Sequence, residues 1–281
     1  MAVTFTVLGS GSAGNCTVIS SSRTQILVDA GLSCRETVRR MRRAGLDPER
    51  TDAVLVTHEH TDHVNGVERL SRVLKVPVYM SAGTYEGWRC WARDKSKPDT
   101  LPRREEFQSG IGFNVGDIQV LPFTVPHDTN DPVGFTFVVE GVKLGLTTDL
   151  GCIPRNVVEA LRGCKLLMIE SNHDLEMLRT GPYPWPVKQR VMSRVGHLSN
   201  EALAEFFSNE YDNCAAYVVL AHLSEQNNHP EVARRAAQRA LRCADSEPSA
   251  AKAGYADPVP VPGTSSLLLA SQDEGLNSII L

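Results

Sequence analysis

The sequence contains neither closely spaced cysteines nor a long apolar run. Its 7 cysteines are an odd number and lie far apart, with no Cys-x-x-Cys, so we expect neither a disulfide framework nor a zinc ribbon. No apolar stretch approaches the ~20 residues that a membrane-spanning helix needs. The N-terminal residues also lack the basic stretch and the cleavage site of a secretory signal. We therefore expect a reduced, cytoplasmic protein without a membrane partner.

An excess of positive charge is also absent. The 29 lysines and arginines face 33 aspartates and glutamates, which gives a formal net charge of −4. This balance argues against a broadly basic surface that coats nucleic acid, but a local basic patch is compatible with it because steering depends on charge distribution. Heptads and short-period repeats are missing as well. The chain of 281 residues is long enough for one large α/β domain or two small ones.

Two common motifs of nucleotide and metal sites are missing. The glycine-rich segment Gly9–Asn15 is not followed by Gly-Lys-Ser or Gly-Lys-Thr, so it is not a P-loop. It reads as a turn, and a role of its backbone N–H groups near an anion stays open. The His-Glu-x-x-His motif of helical zinc proteases is missing because Asp62 stands where the second histidine would be.

The run Thr57–His63, in contrast, concentrates metal-binding groups. It holds three histidines and two carboxylates directly after the apolar residues 53–56. His58, His60 and Asp62 alternate as in an extended segment, and His63 follows at once. Imidazoles and carboxylates are ligands of Zn²⁺, Mn²⁺ and Fe²⁺. This loop could therefore serve two neighbouring metal ions, as in two-metal hydrolases.

Polar residues also follow predicted strands elsewhere in the chain. The chain divides near residue 130 into two halves, residues 1–130 and 131–245. Each half reads as strands followed by helices, so we expect an α/β fold with one site between two sheets. Residues 246–265 are rich in Ala, Pro, Gly and Ser and predict a flexible loop. Residues 266–281 predict a terminal pair of strands.

The motif His58-x-His60-x-Asp62-His63 resembles the signature of the metallo-β-lactamase fold. The resemblance implies a single α/β domain over residues 1–281, built as a four-layer αβ/βα sandwich of two mixed sheets packed face to face with helices outside. It also implies two divalent metal ions, Zn²⁺ or Mn²⁺. The implied ligands are His58, His60 and His127 on one ion, Asp62, His63 and His222 on the other, and Asp149 shared by both.

Three further features occur in the order seen in the RNase Z branch of nucleases, which the chain resembles here. They are Glu170, the Gly-His-Leu-Ser motif at His197 and the Ala-His-Leu-Ser motif at His222. The similarity implies that Glu170 orients His197 and that His197 donates a proton to the leaving oxygen. The chemistry agrees, because a phosphodiester expels a poor alkoxide and a positioned imidazolium helps it leave. The alternative is a structural Glu170 beside a substrate-side His197 without a proton role. The predicted catalytic residues are Asp62, Glu170 and His197, and the predicted phosphate contacts are Asn172, His173, Lys188 and Arg190.

Over nearly its whole length the chain is similar to the bacterial YycJ (WalJ) subfamily. The matching words lie at residues 9–16, 29–31, 170–174, 183–185, 196–200 and 222–228. This resemblance implies a 5′-to-3′ exonuclease that acts on double-stranded DNA in mismatch repair, with DNA as substrate and mismatch-repair proteins as partners. No insertion long enough for a β-CASP cap lies between Asp149 and His222.

Two other functions stay open at this point, because a fold and its ligands allow many chemistries. One is hydrolysis of a small molecule, such as a cyclic phosphodiester, a thioester or a lactone. The other is a non-catalytic protein that keeps metals for stability, which the complete ligand set disfavours. The segment from Trp88 to Arg104, rich in basic residues and tryptophan, favours DNA, since such residues stack bases and hold phosphates.

Overall fold

Two sheets of seven strands each organise the described part of the molecule. The computed structural model describes residues 3–92, 101–241 and 265–281. The strands are β1 (Thr4–Gly9), β2 (Cys16–Ser20), β3 (Gln25–Val28), β4 (Thr51–Leu55), β5 (Val78–Ser81), β6 (Arg104–Phe107), β7 (Phe113–Val115), β8 (Ile118–Thr124), β9 (Val133–Val139), β10 (Val142–Thr147), β11 (Leu166–Glu170), β12 (Tyr217–Ala221), β13 (Ser266–Leu269) and β14 (Leu276–Ile280). The helices are α1 (Cys34–Arg43), α2 (Thr61–Val64), α3 (Val67–Leu74), α4 (Ala82–Gly87), α5 (Arg155–Leu161), α6 (Leu175–Thr180), α7 (Trp185–Val191), α8 (Asn200–Asn209) and α9 (Pro230–Leu241).

Both sheets are mixed. The first has the order β14-β1-β2-β3-β4-β5-β6 and is antiparallel up to β3 and parallel from there to β6. The second has the order β13-β12-β11-β10-β9-β8-β7, parallel from β13 to β10 and antiparallel beyond. Carboxyl ends of parallel strands collect at one edge of a sheet, where open α/β sheets place their sites.

Three apolar clusters separate the four layers. Phe5, Phe135 and Phe137 are fully buried between the two sheets. The outer face of the first sheet is covered by α1 and α3, which bury Met41 and Leu70. The outer face of the second sheet is covered by α5, α8 and α9. Central strands such as β11 and β12 are apolar on both faces, as expected for parallel strands covered on each side. The predicted four-layer sandwich of two mixed sheets is confirmed.

The change from one sheet to the other does not fall at the predicted division near residue 130. β7 and β8 precede that residue but pair with β9 in the second sheet, so the change lies between Phe107 and Phe113. The prediction followed the succession of strands and helices along the chain, whereas sheet membership depends on strand pairing. β8 alternates buried and exposed residues over its first half and packs Ile118 and Val120 into the core between the sheets.

The terminal strands do not pair with each other as a hairpin. β13 runs parallel to β12 in the second sheet, while β14 runs antiparallel to β1 in the first. The C-terminal segment therefore extends both sheets, and the Thr6 and Ser278 hydroxyls, 2.7 Å apart, link β1 to β14. The loop predicted at residues 246–265 lies, except for Ser265, outside the described residues. Among the helices that the structure describes, none has the length and apolarity needed to cross a bilayer.

Candidate metal centre

The histidine run leaves β4 as an extended segment and turns into a short helix. His60 precedes α2 with an extended backbone, so His58 and His60 lie on the extended part and Asp62 and His63 on the first helical turn. The run is pressed against Gly31, where an added Cβ would lie 1.5 Å from the carbonyl oxygen of Asp62. A glycine is therefore required at position 31 for the close backbone approach.

Three other site residues follow strands with a left-handed backbone. Asp29, Asp149 and His222 have φ values of 62°, 56° and 53° and come after β3, β10 and β12. Such values are uncommon for residues other than glycine, and backbone strain of this kind collects at functional sites. The strand register places Thr147 beside Ile169 and Glu170 beside Ala221, so the three neighbouring strands end level. Their following residues consequently meet at one edge.

The structure brings all seven predicted ligands together in two adjoining clusters. One cluster is His58, His60 and His127, and the other is Asp62, His63, Asp149 and His222; the ligand atoms of each lie within 4.8 Å of one another. His127 Nε2 is 3.3 Å from His60 Nδ1, and His63 Nε2 is 3.1 Å from Asp149 Oδ2. Asp149 Oδ1 is also 4.0 Å from His127 Nε2, so this carboxylate lies between the clusters.

Asp29 and Thr57 orient the histidines from behind. The Asp29 carboxylate accepts a hydrogen bond from His63 Nδ1 at 2.8 Å and two from the Thr57 hydroxyl and backbone N–H. A carboxylate only accepts, so His63 Nδ1 carries a proton, and in the neutral imidazole the lone pair is on Nε2, facing Asp149. The Thr57 hydroxyl also lies 3.0 Å from His58 Nδ1. Sequence reasoning did not assign a role to Asp29, although it ends β3 beside the histidine loop.

Glu170 orients two further histidines, His197 and His222, on the other side of the centre. It is fully buried, and its Oε1 accepts hydrogen bonds from His197 Nδ1 at 2.8 Å and from His222 Nδ1 at 2.9 Å. Its Oε2 accepts from the backbone N–H groups of Leu150 and Leu198. Both imidazoles are thereby held with Nε2 directed away from Glu170, and His222 Nε2 is 3.5 Å from Asp62 Oδ2.

The unsatisfied atoms of the centre fit divalent cations. Within the described residues, His58 Nε2, His222 Nε2 and Asp149 Oδ2 are buried and have no hydrogen-bond partner. Buried polar atoms are nearly always satisfied, so a set of converging lone pairs points to a cation between them. Imidazole nitrogens with carboxylate oxygens are a donor set that Zn²⁺ and Mn²⁺ accept.

The pKa directions describe the same charge balance. Burial, followed by the charge of His63, holds the pKa of His58 well below its ordinary value, so the imidazole of His58 is neutral. Burial also lowers the pKa of His63, but the charges of Asp149 and Asp29 outweigh it and raise that pKa well above its ordinary value. Without a metal, the carboxylates therefore keep a second proton on His63, whose place a cation would take.

His197 stands at the edge of the clusters and reaches the solvent. Its side chain is 21% exposed, and its ring centroid lies 5.3 Å from those of His127 and His222. Burial lowers the pKa of His197, but the charge of Glu170 and their hydrogen bond outweigh it and raise that pKa. Burial likewise opposes ionisation of Glu170, yet His197 lowers the pKa of this carboxyl to about 2. The pair is thus a buried carboxylate beside a charged, accessible imidazole.

An open cleft of about 710 Å³ lies over the centre. Its lining comprises Ser12, Glu59, His60, Thr61, Asp62, Asp128, Thr129, Asn130, Asp149, Arg190, His197 and His222. Six of these residues were not among the predicted site residues, and two of the six carry carboxylates that bind neighbouring groups. Glu59 accepts a hydrogen bond from the backbone N–H of Asn130 at 2.9 Å and so fastens the loop after β8. Asp128 forms an ion pair with Arg190.

Three of the four predicted phosphate contacts do not line this cleft. The Asn172 amide donates a hydrogen bond to the backbone carbonyl of His222 at 2.9 Å, so it supports the turn that carries this histidine. His173 is 1% exposed. Lys188 is also buried, and its Nζ donates to the carbonyl oxygens of Arg179 and Gly181 at 2.7 and 2.8 Å. Residue type alone does not reveal the direction of a side chain.

The basic and aromatic segment is only partly described. Trp88 is 2% exposed and belongs to the core, so it is not a surface for stacking bases. Arg104 lies 3.9 Å from the ring centroid of Tyr85, in a cation–π contact. The Trp91 side chain and residues 93–100 of this segment lie outside the described part of the chain.

The chain matches a family model and is similar to two curated exodeoxyribonucleases. Residues 24–223 match the family model described as a β-lactamase superfamily domain. The chain is 36% identical over 243 residues to exodeoxyribonuclease YycJ of Bacillus anthracis, across 86% of this chain and 90% of that protein. It is 35% identical over 243 residues to exodeoxyribonuclease WalJ of Streptococcus pneumoniae, across 86% and 89%.

A solved structure shows the same fold. The metallo-β-lactamase-fold protein YhfI of Bacillus subtilis superposes with a TM-score of 0.70 over 100% of this chain and 99% of its own, at 15% sequence identity. At this identity the likeness concerns the fold alone. The family match over most of the chain, the curated relatives and the shared fold together show that the chain belongs to the metallo-β-lactamase-fold hydrolases of the β-lactamase superfamily and is YycJ/WalJ-like.

Proposed function

We propose that the chain is a metal-dependent phosphodiesterase that degrades DNA as an exodeoxyribonuclease. The observation that carries the proposal is the Glu170–His197 pair, in which a buried carboxylate holds an accessible imidazole 2.8 Å away beside the two clusters. A thioester, whose thiolate leaves readily, has little need of such a proton donor, whereas a phosphodiester with an alkoxide leaving group does. The names of the YycJ and WalJ relatives support the same activity.

The two clusters would hold two divalent ions, Zn²⁺ or Mn²⁺, one on His58, His60 and His127 and the other on Asp62, His63 and His222, with Asp149 shared. Bound there, the ions supply Lewis-acid polarisation of the phosphate and a water molecule of lowered pKa.

The protein's own groups would complete the reaction. Glu170 keeps the Nδ1 proton of His197 in place, which leaves the second N–H of the imidazolium to protonate the leaving oxygen. The raised pKa of His197 keeps that proton available near neutral pH. Asp62 faces the cleft, and Asn15 Nδ2 donates to its Oδ2 at 3.1 Å; we assign to Asp62 the orientation of the attacking water. Arg190 lines the same cleft and would bind phosphate.

We further propose that the substrate is double-stranded DNA, degraded from 5′ to 3′, and that the protein takes part in mismatch repair with other repair proteins. This finer proposal follows from the resemblance to the YycJ (WalJ) subfamily. The competing function is hydrolysis of a small molecule such as a cyclic phosphodiester. The cleft volume of about 710 Å³ favours this alternative, because it falls in the range of small-ligand sites.

Digestion of duplex DNA labelled at either end tests the proposal. The wild type with Mn²⁺ or Zn²⁺ is expected to release the 5′ label at once as a mononucleotide and to shorten the 3′-labelled strand stepwise. His60→Ala is expected to abolish both, while His229→Ala, which removes an exposed imidazole, retains them. Intact duplex in every metal, together with turnover of a cyclic phosphodiester or an ester, would contradict the proposal.

A further inference from the structure

An ion pair spans the cleft above the metal clusters. Asp128 belongs to the loop between β8 and β9, and Arg190 lies near the end of α7, between β11 and β12. Arg190 Nε donates a hydrogen bond to Asp128 Oδ2, and both side chains line the cleft. Two segments that are far apart in the sequence are thus joined over the site.

Arg190 differs in charge from its surroundings. The lining contains the four carboxylates of Glu59, Asp62, Asp128 and Asp149, and Arg190 is the one arginine or lysine among the described lining residues. A polyanionic strand that enters this cleft is repelled by the carboxylates wherever a metal does not compensate them. Arg190 is consequently the protein group best suited to attract a phosphate there.

The bonding of the guanidinium leaves its outer edge available. A guanidinium has five N–H donors in a planar fork. In the described part of the chain, the hydrogen bond to Asp128 uses Nε, and no hydrogen bond is found for the two terminal amino groups. The Arg190 side chain is 60% exposed, compared with 26% for Asp128. Asp128 thus binds Nε and leaves the two terminal amino groups of Arg190 available to donate to two oxygens of one phosphate.

Hydrogen bonds to neighbouring segments fix the helix α7, which carries Arg190. Lys188 is buried, and its ammonium group donates to two carbonyl oxygens at the end of α6. The last residue of α7, Val191, accepts a hydrogen bond from the backbone N–H of His197 at 2.9 Å. α7 therefore connects Arg190 to His197, the proposed proton donor, through one backbone hydrogen bond.

We propose that Asp128 is a positioning residue that holds the Arg190 fork in place to bind a backbone phosphate of the DNA strand in the cleft. This inference rests on the proposed function, since it takes the strand to be the substrate. The opposite arrangement, in which Asp128 competes with the phosphate for Arg190, predicts tighter binding when Asp128 is neutralised. Positioning predicts weaker binding, so the sign of one substitution separates the two.

Binding of the metal-loaded protein to a fluorescent duplex with phosphorothioate ends tests the inference, because anisotropy then reports affinity without cleavage. Arg190→Ala is expected to weaken binding about 10–100-fold, as for the loss of a charge-assisted bidentate pair. The slope of log K against log salt is expected to fall by about 1. Arg194→Ala, which removes a nearby exposed arginine that does not line the cleft, is expected to change affinity by about 2-fold or less.

Asp128→Asn is expected to weaken binding about 3–10-fold with the salt slope unchanged, because Arg190 remains but is held less firmly. In the Arg190→Ala background the same substitution is expected to add nothing. Tighter binding by Asp128→Asn, an additive double variant, or equal affinities of Arg190→Ala and Arg194→Ala would overturn the inference. If the variants show the expected differences in affinity but the wild type degrades no duplex, the proposed function is overturned and the positioning role remains.

Discussion

Glu170 accepts hydrogen bonds from four different donors within the site, and Glu170→Gln is the sharpest single perturbation of it. The carboxylate is fully buried and accepts four hydrogen bonds, from His197, His222, Leu150 and Leu198. A glutamine has one oxygen for these four donors. If that oxygen stays with the two imidazoles, the amide N–H₂ faces two backbone N–H groups that then lose their acceptor.

The magnitude follows from these bonds. Two buried donors left without an acceptor cost about 1–3 kcal/mol each, so the free energy of unfolding is expected to fall by about 2–6 kcal/mol. Loss of the anion beside His197 lowers the pKa of this imidazole and removes the proton donor, which is worth about 10²–10⁴ in rate. Replacement of the anionic partner of His222 Nδ1 by a neutral amide oxygen is expected to weaken metal binding about 10–100-fold.

The assay combines kcat on end-labelled duplex at saturating metal with a chelator competition for metal affinity and a urea denaturation. Glu201→Gln serves as the matched control, because this glutamate is exposed. The expected result is a loss of kcat that excess metal does not restore. Glu170→Gln with wild-type kcat, metal affinity and stability would refute the reasoning.

Three further predictions concern the affinity for metal, the free energy of unfolding and the dependence of stability on pH. Asp29→Asn loses the anionic partner of His63 Nδ1 and is expected to weaken metal binding about 10–100-fold in a chelator competition. Lys188→Met leaves two carbonyl oxygens without their donor and is expected to lower the free energy of unfolding by about 1–3 kcal/mol in urea; a raised KM with unchanged stability would instead restore a substrate role. Hydrogen bonds, first from Arg39, lower the pKa of Glu36 from 4.5 to about 2, so its contribution to stability is present above pH 4.5 and is lost as the pH falls towards 2. Over that range the wild type is expected to lose more stability than Glu36→Gln, as measured by thermal unfolding at each pH.

The metal centre could be predicted from the sequence to the extent that it is local. The spacing of His58, His60, Asp62 and His63 puts four donors into one loop, and a resemblance supplied the distant donors. Asp29 was missed because a lone aspartate after a strand gives no signal until the strand register brings it against the histidine loop.

The substrate residues were harder to predict because the direction of a side chain depends on packing. Lys188 and Arg190 are two residues apart and alike in charge, yet one is buried on carbonyl oxygens and the other lines the cleft. In a helix, two positions correspond to a rotation of about 200°, which places such residues on opposite faces. The sequence pattern alone did not identify which face meets the cleft.

Sheet membership shows the same limit. Most of the strands were predictable from apolar runs, but β6, with the sequence Arg-Glu-Glu-Phe, and the short β7 were not. β8 and the terminal strands could not be assigned to their sheets. Pairing between distant strands depends on which sheet edge is open, and β13 and β14 join different edges although only six residues separate them. Local pattern therefore predicts elements better than it predicts their partners.

The central claim is that two metal ions and the Glu170–His197 pair make this chain a DNA exonuclease. Its most direct test is a titration of the chelated protein with Mn²⁺ while the release of 5′-labelled mononucleotides from duplex DNA is followed. The account predicts that release rises steeply as the second equivalent of metal binds, in keeping with a two-metal reaction. Full activity at one equivalent, or no release at any metal concentration, would contradict it.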